Sequence, residues 1–67
     1  MTADELFDMS VTLSLAAAKM RRELDAKQPH TTREDWMAWD CLKGAAAHLR
    51  SAAVHMSAQE ERKASHA

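Results

Sequence analysis

Two apolar stripes share residues 3–26, and they constrain this chain more than any other feature. Ala3, Leu6, Ser10, Leu13, Ala17, Met20 and Leu24 recur at heptad spacing, so a helix gathers them on one face. Phe7, Val11, Leu15 and Ala18 make a second stripe, turned by roughly a third of a circle at 100° per residue. One returning helix covers the first stripe but not the second. The pattern therefore predicts a helical hairpin and a second copy to shield what the hairpin leaves open.

The returning helix is written in the stretch from Trp36 to Met56. Leu42, Leu49 and Met56 repeat every seven residues, with Ala38, Ala45, Ala46, Ala52 and Ala53 among them. Large side chains alternate with small ones, which suits close helix packing. Folding the chain back sets Leu6 near Ala53, Ser10 near Leu49, Leu13 near Ala46, Ala17 near Leu42 and Met20 near Trp39. Large meets small at nearly every level, as interdigitated packing requires.

The boundaries follow from capping and turn chemistry. Thr2 and Glu5 form a capping box, and Asp4, Glu5 and Asp8 suit the positive end of a helix dipole. Helix 1 is expected at about residues 3–26. Lys27 to Thr31 is the turn, because Pro29 disfavours helix in the residue before it and lacks an amide donor. Thr31 with Glu34, or Thr32 with Asp35, caps helix 2, expected at about 32–62. Residues 63–67 are expected to fray. The fold class is all-α: one domain over residues 1–67, an antiparallel two-helix hairpin dimerising into a four-helix bundle.

A chain of 67 residues is short enough to need a disulfide, a metal or a partner subunit. Cys41 is the single cysteine, so no internal disulfide forms and oligomerisation takes that role. Net charge is close to zero, which removes general attraction to phosphate as the theme. The acidic start is no signal peptide, and no apolar run spans a bilayer. The expected location is the cytoplasm, with no membrane partner.

Metal binding and catalysis find little support. Cys41, His48 and His55 lie seven residues apart, about 10 Å along a helix, too far to share one ion. No cofactor or metal site is expected. Cys41 has His48 two turns away, with no oxyanion loop and no glycine-rich turn, so the chain does not read as an enzyme.

Two binding readings remain. Lys19, Arg21, Arg22 and Lys27, with Lys43 and Arg50, could grip nucleic acid, in the manner of the repressor-of-primer RNA-binding hairpins. Glu23, Asp25 and Asp40 dilute that patch, and dipole complementation accounts for much of it. Protein binding is preferred. Trp36 lies off the leucine stripe beside mixed charges, the composition of an interface anchor, or else packs on the connecting loop or inside a dimer. The expected partner-binding residues are Trp36, Trp39, Asp40, Lys43 and Arg22. The expected dimer seam is Phe7, Val11, Leu15 and Val54.

The acidic start into Glu5-Leu6-Phe7-Asp8, the Ala-rich first helix, the Pro-containing turn and Ala46-Ala47-His48-Leu49-Arg50-Ser51-Ala52 together resemble the small phage quorum-sensing anti-activators. Those are helical-hairpin homodimers that bind host proteins. The resemblance implies inhibition of a LuxR-type transcription regulator, and of a type IV pilus assembly ATPase, in the host cytoplasm. No functional residue of that family is matched to a position here.

Overall fold

A computed structural model describes residues 1–65. Two helices, α1 (Ala3–Lys27) and α2 (Arg33–Ser65), pack against each other along their length. The molecule is a rod of 58 × 15 × 13 Å. α2 runs past residue 62 to Ser65, where fraying was expected. Arg62 and Lys63 in the last turn meet the negative end of the helix dipole, which favours the extension. His66 and Ala67 of the expected tail lie outside the described residues.

The caps form as the sequence chemistry requires. The Glu5 amide donates to the Thr2 hydroxyl at 3.3 Å, and the Thr2 amide donates to the Glu5 carboxylate at 3.1 Å. At the start of α2, Thr32 and Asp35 make the reciprocal pair: the Thr32 amide reaches Asp35 at 2.9 Å, and the Asp35 amide reaches the Thr32 hydroxyl at 3.2 Å. Two otherwise orphaned amides are satisfied at each start. The bond from the Thr32 amide, above all, holds the Asp35 carboxyl below its ordinary value, and the charge of Lys27 adds to this. Lys27 sits 3.9 Å from Asp35 and links the two ends of the turn. At the far end, the Ala3 amide donates to Glu60 at 3.1 Å, which closes the hairpin.

The buried residues are few, and most are small. On α1 they are Ala3, Leu6, Ser10, Ala17 and Leu24; on α2 they are Ala46 and Ala53. Ser10 satisfies its hydroxyl on the Phe7 carbonyl at 2.8 Å. Alanine faces let two helix axes approach closely.

In the same stripes Leu13, Met20, Leu42, Leu49 and Met56 are half-buried, toward one side of the seam by the helical step, while Leu6 and Leu24 are buried among the alanines.

Candidate functional site

The rod has two long flanks, and they differ in chemistry. One carries Phe7, Val11, Ser14 and Ala18 of α1 beside Trp39, Lys43, Ala47 and Arg50 of α2. The other carries Leu13 and Met20 beside Leu42, Leu49 and Met56, by the 100° step of the helix. At its turn end, Met20, Glu23 and Lys27 meet Glu34, Asp35 and Ala38.

The first flank contains a groove of about 440 Å³. Its floor is small: Ser14, Ala17 and Ala18 from α1, Ala46 and Ala47 from α2. Its rim is cationic, with Arg21, Lys43 and Arg50 and no carboxylate among the lining residues. A floor of methyl groups between two helices leaves room for a large apolar side chain from outside. The rim suits acidic neighbours of that side chain.

Both tryptophans cluster at the turn end of this groove. Their rings meet edge to face, with centroids 6.0 Å apart and planes at 84°. The Arg21 guanidinium lies 5.2 Å from the Trp36 ring centroid and 5.1 Å from that of Trp39. The Lys43 ammonium lies 4.7 Å from the Trp39 ring. These cations are held against aromatic faces, and Arg21 is steadied further by Asp25 at 3.3 Å. The Trp39 indole N–H donates to the Ala17 carbonyl at 3.1 Å, and the Trp36 indole N–H donates to the Thr31 hydroxyl, also at 3.1 Å.

Of the expected partner-binding residues, the fold brings Trp36, Trp39 and Lys43 together. Trp36 is tied to the connecting turn by its bond to Thr31. Arg22 and Asp40 are exposed, further out on the same flank by the helical step. Arg21 and Arg50 belong to the groove although sequence reasoning gave Arg21 only to a nucleic-acid patch and put Arg50 on the Trp36 side of the helix without naming it a partner-binding residue. The signal was present, since residues 14, 18 and 21 and residues 43, 47 and 50 follow three- and four-residue steps. Of the expected dimer seam, Val11, Leu15 and Val54 are exposed at 55%, 66% and 54%, and Phe7 is half-buried.

Among the described residues, no group of three or more His, Cys, Asp and Glu side chains is placed to hold a metal. Among the same residues, no helix is long and apolar enough to cross a membrane.

The fold and this face define an all-helical hairpin with an alanine-floored, cation-rimmed groove. Comparison with known protein families, curated proteins and solved structures finds no match to the chain.

Proposed function

We propose that this chain is a small homodimeric helical protein, not an enzyme, that inhibits another protein by covering a surface its target needs. The groove beside Trp39 carries this reading. A rigid wall of two helices, an apolar floor and three rim cations fit an acidic segment of a target bearing a large apolar side chain. The resemblance to phage anti-activators of quorum sensing supplies the class of target to try first, a LuxR-type transcription regulator, and second a type IV pilus assembly ATPase. On this reading the chain works in the cytoplasm of the host.

One observation favours a second reading. Arg21, Lys43 and Arg50 share one face with no acid between them, so a dimeric RNA- or DNA-binding hairpin could use the same groove. Salt separates the two. Binding that rests on several phosphate contacts loses about 10³-fold or more between roughly 50 and 200 mM salt. Occlusion of an apolar site changes far less over that range.

The test is binding of purified LuxR-type regulator to the wild-type chain and to a Lys43→Glu, Arg50→Glu variant. We expect wild-type binding that survives moderate salt and is lost in the variant. Tight, steeply salt-dependent binding of RNA or duplex DNA, with no binding of the regulator, would overturn the proposal.

A further inference from the structure

The two flanks pose a choice, since one copy of the chain leaves both uncovered. We infer that a second copy of this chain seats on the flank of Leu13, Met20, Leu42, Leu49 and Met56, which leaves the groove beside Trp39 facing outward for the target. This rests on the homodimer proposed above and assigns its faces.

One observation calls for a second copy and two assign its face. The first is area. The chain exposes 5224 Å², whereas a compact monomer of 7.5 kDa exposes about 4,250 Å². The excess of roughly 1,000 Å² is near the ~800 Å² that each partner contributes to a standard interface.

The second is charge. Within residues 9–20 and 38–56 the Asp, Glu, Lys and Arg side chains are Lys19, Asp40, Lys43 and Arg50. By the helical step, Asp40, Lys43 and Arg50 point to the groove flank and Lys19 points away from both helices' contact. The middle of the leucine–methionine flank therefore carries no charge, and the charges of this flank, Glu23, Lys27, Glu34 and Asp35, gather at its turn end, where both signs are present. Covering the groove flank would take the Lys43 and Arg50 cations out of water, which opposes association.

The third is shape. Ala45 and Ala52 lie between the large residues on α2, and Ala16 lies between Leu13 and Met20 on α1, all three exposed in the hairpin. Large and small alternate along both helices of this flank, as knobs and holes do in a four-helix bundle. The seam lies opposite the one that Phe7, Val11, Leu15 and Val54 would form.

Molar mass in solution tests the inference. At micromolar concentration the wild-type chain should have twice the mass of one copy. Ala45 and Ala52 are exposed in the hairpin, so Ala45→Glu, Ala52→Glu leaves each hairpin folded, as circular dichroism would confirm. It should weaken self-association by about 100-fold or more, the expected effect of unpaired buried charge. Val11→Glu, Leu15→Glu on the other flank should leave the dimer intact. Retention of the dimer in the alanine variant and its loss in the Val11, Leu15 variant would overturn the face assignment while keeping the homodimer. A single-copy mass for the wild type at every concentration would overturn the homodimer itself.

Discussion

The indole N–H of Trp39 on α2 donates to the backbone carbonyl of Ala17 on α1 at 3.1 Å. It is a side-chain bond from one helix to the main chain of the other, and it pins their register near the groove. A carbonyl has two lone pairs, so Ala17 can accept it without giving up its helical bond. Trp39→Phe keeps an aromatic ring and removes the donor. The variant should lose about 1 kcal/mol of stability in urea denaturation. Unchanged stability would show that the bond carries no weight in the register.

Ala53 is wholly shielded from solvent in the seam between the helices. Ala53→Leu should destabilise by roughly 1–3 kcal/mol or splay the helices, because a packed seam has no room for three more carbons. Ala58→Leu, on an exposed part of the same helix, should stay within about 0.5 kcal/mol of wild type. Equal effects of the two substitutions would argue against a close alanine seam.

Thr2 and Glu5 close the first turn of α1 reciprocally. Thr2→Ala should cost about 1 kcal/mol, within the range for caps. Amide hydrogen exchange should show the loss locally, as faster exchange at the start of α1 than elsewhere.

Asp35 supplies a pH dependence. Its folded carboxyl titrates below the ordinary value of 3.8, first because of the bond from the Thr32 amide. A depressed folded value means stability that is present above the unfolded pKa and is lost as pH falls through the folded one. Asp35→Asn should therefore be less stable than wild type at neutral pH. The difference should shrink as the pH falls below about 4. A difference that stays constant down to strong acid would place the stabilisation in something other than the charge.

The functional face has its own substitution. Trp36 ties the turn through Thr31 and touches Trp39 edge to face. If it also anchors a target, Trp36→Ala should reduce target binding by about 2 kcal/mol or more. Trp36→Phe keeps a ring but loses the bond to Thr31. It should retain most of the binding if the ring surface is what the target meets. Full binding by Trp36→Ala would restrict Trp36 to a role in the turn.

Much of this architecture could be read from the residues. Pro29 marked the break, the Thr and acid pairs marked the starts, and the stripes required two helices side by side. The sequence left open which acid pair would cap α2, and backbone geometry chose Thr32 with Asp35. Periodicity groups Leu42, Leu49 and Met56 on one face but does not say whether that face is the middle of the seam or its edge. That depends on how closely the alanines let the axes approach, a tertiary quantity. The clustering of Arg21 and Lys43 on the tryptophans was hidden for a similar reason. Lys43 and Trp39 are neighbours four residues apart on α2, but Arg21 belongs to the other helix and meets the two rings only once the register is set.

The account stands on the claim that one hairpin leaves too much apolar surface in water to be complete as a single copy. The concentration dependence of thermal unfolding measures this directly, because association with a second folded copy stabilises by mass action. The account predicts a melting temperature that climbs steadily as protein concentration is raised from micromolar toward millimolar. One sharp transition at the same temperature throughout that range would contradict it.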